Sequence, residues 1–135
     1  GIQFGYPVTD LGVELLDGAY NELTSTEVAY RIAAQTAFRD GCRRAQPLLL
    51  EPIMSLEIVA PREFVGSVMN NLAARRGQVI GTEMRDQVQV LRARAPLSQM
   101  FGYATDLRSA SQGRATYSML FSHYDEAIVP DGFVA

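Results

Sequence analysis

Twelve arginines and no lysine supply the fixed positive charge of this sequence. Guanidinium groups in that number point first to phosphate and carboxylate recognition, because a planar fork of N–H donors matches two oxygens at once. Arg75 and Arg76 stand directly before Gly77, Arg92 and Arg94 alternate within an apolar run, and Arg108 and Arg114 bracket a polar turn. Phosphate contact would suit them if they share a face. The simpler reading of "ARRGQ" is a helix C-terminus, where arginines complement the helix dipole and Gly77 supplies a left-handed cap. The absence of lysine has a further consequence. A Walker A loop needs its phosphate-reaching lysine, so nucleotide hydrolysis by a P-loop is not housed in this sequence.

Other chemistry finds little support. The carboxylate pairs Asp125 with Glu126 and Asp10 with Glu14 lie in no apolar setting that would separate their pKa values for acid and base work. Ser25, Ser109 and Ser111 have no histidine within a motif, and His123 is the only histidine. With the single Cys42 it makes no metal-ligand spacing, and one cysteine excludes an internal disulfide framework. Cys42 reads as a small core residue. No catalytic residue, metal site or cofactor is expected.

These residues need elements to position them. At 135 residues, 47% hydrophobic and net charge −3, the chain suits one ordinary domain or two small ones, without the overall basic charge of a wholly nucleic-acid-coating protein. It contains no apolar run approaching a membrane helix and no signal-peptide pattern, so a soluble cytoplasmic protein is expected.

"YPVTDLGVELLDGAY" reads as a strand from Tyr6 to Leu16 entering an Asp17-Gly18 turn. Thr24 with Glu27 forms a capping-box pattern, starting a helix near Ser25. Its apolar stripe is Tyr30, Ala34, Ala37, Phe38, Gly41, Cys42 and Ala45, and Pro47 ends it. One strand and one helix leave apolar faces that need a second layer, so this part reads as truncated.

From Leu50 the order is strand, helix, strand, strand, helix, strand. Met54, Leu56 and Ile58 alternate with Ser55 and Glu57 in the first strand. The first helix starts at Pro61 and buries Phe64, Val65, Val68, Met69 and Leu72. Arg85-Asp86 joins a hairpin, and the last strand sets Ala115, Tyr117, Met119 and Phe121 on one side. The second helix, Pro96 to Ser109, carries Leu97, Met100, Phe101, Ala104 and Leu107 on one stripe, with Gly102 inside it. A helical glycine costs about 1 kcal/mol relative to alanine and is explained here as a packing device that lets the helix approach the sheet. The fold class is α+β, a ferredoxin-like βαββαβ sandwich. The first and third strands, "IMSLEIVA" and "QVQVLRARA", contain no aromatic, which argues against base-stacking of the RNA-recognition-module type.

With the whole pattern assembled, "LLEPIM", "NNLAARRGQ", "APLSQMFGYATDLRS" and "QGRATYSM" occur in order, and nearly all of residues 5–124 resembles the C-terminal part of bacterial elongation factor G. The resemblance implies that residues 1–47 are the end of domain IV, an incomplete segment of a ribosomal-protein-S5-domain-2-like unit. Residues 48–124 would be domain V and residues 125–135 a tail. It implies a parent protein that couples GTP hydrolysis, with Mg²⁺ and GTP held in an N-terminal domain outside this sequence, to movement of tRNA and mRNA through the ribosome.

The tip-loop residues Gly18, Ala19, Tyr20, Asn21, Glu22, Leu23 and Thr24 would then lie near tRNA and mRNA in the decoding region. Arg108 and Ser109 would approach ribosomal RNA at the sarcin-ricin loop, with Arg75, Arg76 and Arg114 as further candidate contacts. Family members commonly carry histidine where this sequence has Asn21, and acidic or polar residues at Glu22 to Thr24. That departure leaves room for a paralogue specialised for ribosome recycling. Outside the family, the competing reading is a ferredoxin-like small-molecule sensor or protein-interaction domain. The expected oligomeric state is a monomer, or a dimer through the incomplete domain IV sheet.

Overall fold

A computed structural model of the chain describes residues 1–129, which divide into two compact units, one centred on residues 1–49 and one on residues 50–127. In the first unit the only regular element among the described residues is α1, Glu27–Arg44. The strand expected over residues 6–16 does not form. A strand is held by a neighbouring ladder, and the one element among the described residues of this unit is a helix, which offers none.

The helix start also shifts. Thr26 is the N-cap, its hydroxyl accepting from the Ala29 amide, so the expected box of Thr24 and Glu27 is replaced by a single cap two residues later. Glu27 instead pairs with Arg31 one turn on. No residue of α1 is buried, and Cys42, expected in a core, is only half-buried. The apolar stripe therefore faces solvent, with Tyr30 and Phe38 both exposed.

The second unit is a four-stranded antiparallel sheet in the order β2-β3-β1-β4. Its strands are β1 (Leu50–Pro61), β2 (Gln78–Arg85), β3 (Val88–Pro96) and β4 (Thr116–Glu126). Two helices, α2 (Val65–Ala74) and α3 (Tyr103–Ala110), follow β1 and β3, the connectivity expected of a ferredoxin-like sandwich. Leu56, Ile58 and Ala60 of β1 and Leu91, Ala93 and Ala95 of β3 alternate onto one face of the sheet. There they meet Val65, Val68 and Leu72 of α2, and Tyr103 and Leu107 of α3. Ser55, Glu57, Arg92 and Arg94 take the opposite face. Val90, adjacent to Leu91, is buried on that opposite face beside Val59, which explains the break in alternation.

Boundaries differ from the sequence reading in ways that have physical causes. Pro61 ends β1 instead of opening a helix, and a 3₁₀ turn (Arg62–Phe64) leads into α2. Met69 is exposed and Phe64 half-buried, so the buried stripe of α2 is narrower than expected. In β4 the register shifts opposite Ile53 and Met54, leaving Ser122 as an extra residue. Of the segment read as a tail, Asp125 and Glu126 belong to β4, while residues 130–135 lie outside the described residues.

The region read as one helix from Pro96 to Ser109 is two pieces: a 3₁₀ turn (Leu97–Gln99) and then α3. Gly102 joins them with φ +76°, the left-handed region, and a Cβ placed there would meet nothing within 4 Å. The glycine is therefore required by backbone conformation and not by close packing against the sheet. Phe101 and Ala104, expected on the buried stripe, are exposed, and Tyr103 is buried in their place.

Candidate nucleic-acid interface

Two helix ends hold most of the arginines singled out above, and they close by the same device. At the end of α2 the Gly77 amide donates to the Leu72 carbonyl at 2.8 Å and the Arg76 amide to Ala73 at 3.2 Å. This is the double bond pattern of a Schellman turn. Arg76, not Gly77, takes the left-handed conformation, with φ +58°. Gly77 is needed for a different reason: a Cβ there would lie 2.7 Å from the Leu72 carbonyl oxygen. At the end of α3 the Gly113 amide donates to the Arg108 carbonyl at 2.8 Å, with Gln112 and Gly113 both left-handed.

The α3 turn brings Arg108 back beside Gly113, the residue before Arg114. Arg108 Cγ lies 4.0 Å from the position a Gly113 Cβ would occupy, so the arginine stem runs beside the glycine. Ser111 fixes the turn from inside. It is fully buried, its hydroxyl donating to the Leu107 carbonyl at 2.7 Å and accepting from the Ala115 amide at 3.0 Å. A buried hydroxyl with both roles filled costs no unmet hydrogen bond and ties the helix end to the start of β4.

Arg114 pairs with Glu63 and lies over the Phe64 ring at 5.5 Å. Both ends of that pair are more than half exposed, so the bond is weak and exchangeable. Arg108 and Ser109 are exposed, and Arg108 makes no ion pair among the described residues. Arg62, which the sequence reading passed over, stands at the same end, since Val59 pairs with Thr116 and Pro61 follows two residues on. Its signal was available in outline: it directly follows the proline at the strand exit.

Arg75 and Arg76 belong to the other end of the sheet. Arg76 pairs with Glu51 at 3.0 Å, near the start of β1, whereas Arg114 pairs with Glu63 just beyond its end. Twelve strand residues lie in β1. At about 3.3 Å each they set Arg76 and Arg114 on the order of 40 Å apart, too far to grip one phosphate, whereas Arg75 reaches Asp106, two residues before Arg108. The Arg75 side chain is only 15% exposed. It donates to the carbonyls of Gln99 and Phe101 and to the Asp106 carboxylate, and stacks over the Tyr103 ring at 5.5 Å. Arg92 and Arg94 occupy the sheet face away from the helices, so the six arginines singled out from the sequence do not share one surface.

The tip-loop residues Gly18, Ala19, Tyr20, Asn21, Glu22, Leu23 and Thr24 are all exposed in the first unit. The loop is nonetheless ordered by its own bonds. The Asn21 carbonyl accepts from the Ser25 amide at 2.9 Å, and the Asn21 amide donates to the Ser25 hydroxyl at 2.7 Å. Asn21 Oδ1 accepts from the Leu23 amide at 2.9 Å, an Asx turn. Tyr30 of α1 donates its hydroxyl to the Ala19 carbonyl at 2.9 Å. The Asn21 side-chain NH₂ has no partner among the described residues and is presented outward, beside Tyr20 and Leu23.

The other titratable groups do not converge. Asp10 and Glu14 are exposed in the irregular first segment, and Asp125 and Glu126 are exposed on β4. His123 Nδ1 contacts the Ser122 hydroxyl at 2.9 Å, and no group of three metal-ligating side chains occurs among the described residues. Burial pushes the Tyr103 hydroxyl up to about 12, against a smaller opposing effect of Arg75. No helix among the described residues is long and apolar enough to cross a membrane.

Comparison with known proteins follows the same division. Residues 48–129 match the family model described as elongation factor G C-terminus, and residues 1–46 match elongation factor G, domain IV. A crystal structure of a protein from Thermus thermophilus superposes with a TM-score of 0.74 at 39% sequence identity, covering 87% of this chain and 18% of that one. The chain thus spans less than a fifth of the length of that solved protein.

Proposed function

This chain belongs to the elongation factor G family, and from that premise we propose that it is the ribosome-facing C-terminal module of a translational GTPase that moves tRNA and mRNA during protein synthesis. The observation that carries the reading is the exposed end of α3, where Arg108, Ser109 and the loosely paired Arg114 stand together on a turn pinned by buried Ser111. Guanidinium groups carried on a fixed turn suit ribosomal RNA phosphates, because little backbone freedom remains to be lost on contact.

In the same reading the tip loop meets tRNA and mRNA near the decoding region, with the free Asn21 NH₂ as donor. Arg75 and Arg76, grouped with Arg108 from the sequence, are not part of this contact. Arg76 is paired with Glu51 at the far end of the sheet, and Arg75 is engaged internally. GTP and Mg²⁺ are held elsewhere in the parent protein, and the module works in the cytoplasm. The test is cosedimentation of the purified chain with ribosomes at low salt. Retention that falls steeply as salt rises is the expected result, by release of counterions from RNA phosphates. Absence of retention even at low salt would contradict the reading and favour a sensor or protein-interaction role.

A further inference from the structure

Gly102 is a hinge. It is left-handed with open space where a side chain would be, and across it the backbone is tied, among the described residues, only by the 3.2 Å bond from the Tyr103 amide to the Met100 carbonyl and by the burial of those two residues. Arg75 spans that hinge from outside. Before the hinge it donates to the carbonyls of Gln99 and Phe101, which the end of the 3₁₀ turn leaves without helical partners. Beyond the hinge it holds the Asp106 carboxylate in the first turn of α3 and covers the Tyr103 ring. One guanidinium thus binds both arms of the hinge, and its long stem is anchored at the end of α2.

We propose that Arg75 is a positioning residue, which sets the direction of α3 and through it the placement of Arg108 and Ser109 at the other end of that helix. The proposal rests on the reading of that end as the ribosomal RNA contact. The lever is short but sufficient. α3 has 8 residues. At 1.5 Å per residue it is roughly 12 Å long, so a tilt of about 15° at Gly102 moves the far end by about 3 Å. A charge-assisted hydrogen bond tolerates a few tenths of that. Tyr103 and Leu107 hold α3 against the sheet, and Arg75 restrains the remaining freedom to swing across it.

Lysine cannot replace this contact, because a single ammonium lacks both the fork that reaches two carbonyls with a carboxylate and the flat face that lies on Tyr103. That separates positioning from direct phosphate contact, where lysine serves well as a point charge. The experiment compares Arg75→Lys, Arg75→Gln and Arg108→Ala in the full chain. It measures melting temperature, amide exchange, and ribosome affinity over a salt series.

Positioning predicts that both Arg75 variants, lysine as well as glutamine, lose about tenfold in affinity, with the salt slope shallower by the same unit that Arg108→Ala loses, because a displaced Arg108 no longer neutralises its phosphate. Exchange should quicken across Tyr103–Ala110 while β1 and β3 stay protected. The proposal is overturned if Arg75→Lys keeps the original affinity and slope while Arg75→Gln loses both, the mark of a direct phosphate contact that a point charge can serve. It is also overturned if exchange in α3 does not change. Failure of the RNA reading has a different mark: Arg108→Ala would leave both affinity and slope untouched. The clamp would then be judged by α3 exchange alone.

Discussion

Single side chains and glycines in this protein can be tested for the reason each is there. Gly102 and Gly77 give opposite predictions, because one serves conformation and the other space. Gly102→Ala is expected to cost about 1 kcal/mol, the strain of a left-handed alanine, with Gly102→Asn less costly since asparagine tolerates that region. Gly77→Ala should cost about 2 kcal/mol or more, because its Cβ meets the Leu72 backbone and not a flexible side chain. Urea denaturation of the three variants checks both. Equal losses would mean that the two glycines play the same role.

Tyr103 offers a pH test. Its hydroxyl is buried without a partner among the described residues, so Tyr103→Phe should be neutral or stabilising at pH 7. The folded pKa is raised to about 12 from an ordinary 10, so folding favours the protonated phenol. The stability this provides is present below pH 10 and is lost as pH rises from 10 through 12. Thermal unfolding across that window should show an alkaline loss that Tyr103→Phe reduces. At Asn21 the two halves of one amide separate: Asn21→Asp keeps the Oδ acceptor for Leu23 but loses the outward NH₂. Asn21→Asp should therefore preserve loop order and weaken RNA contact in the full-length parent, while Asn21→Ala should lose both. Restoring histidine there is expected to raise translocation if this departure sets the copy apart.

Elements were legible in the sequence where local pattern and tertiary packing agree. The alternation of Met54, Leu56 and Ile58 marked a strand with one buried face, as found, and Arg85-Asp86 marked a hairpin whose turn lies one residue on, at Asp86-Gln87, with Arg85 still paired to Val88. The two central strands lack aromatics, as read. What could not be seen depended on partners distant in sequence. Nothing in "RRG" says that Arg75 reaches Gln99 and Phe101, or that Arg76 and not Gly77 adopts the left-handed turn. Gly102 looked like a flaw in a helix because Leu97 and Met100 keep helical spacing across the 3₁₀ turn. The 6–16 run has strand composition, but a strand is a relation between two segments. Ser111 was visible only as a serine without a histidine, whereas its burial gives it a structural task. Ser111→Ala should cost about 1–3 kcal/mol by stranding the Ala115 amide, and should loosen the turn that carries Arg108 and Arg114. Ser111→Thr is the harsher probe, since the site has no solvent-exposed margin for an added methyl. Melting temperatures of both variants check this assignment, and unchanged stability for Ser111→Ala would contradict it.

The whole molecule divides into units of unequal internal support. Residues 50–127 have a continuous apolar core, whereas no residue of α1 is buried. Hydrogen exchange of the chain is expected to show cooperative protection in β1, β3, α2 and α3 and fast exchange through residues 1–49. Protection of residues 6–16 in a dimer, detected by sedimentation, would show instead that a second copy supplies the missing ladder. Family membership places both units in one translational factor, and the account turns on which surface meets RNA. The most direct measurement is ribosome affinity over a salt series for the original chain and for Arg108→Ala. The account predicts weaker binding and a slope of log affinity against log salt that is shallower by about one unit, the loss of one neutralised phosphate. An unchanged slope and affinity, with only a small fall in melting temperature, would contradict it and leave Arg108 as a residue that merely complements the dipole of α3.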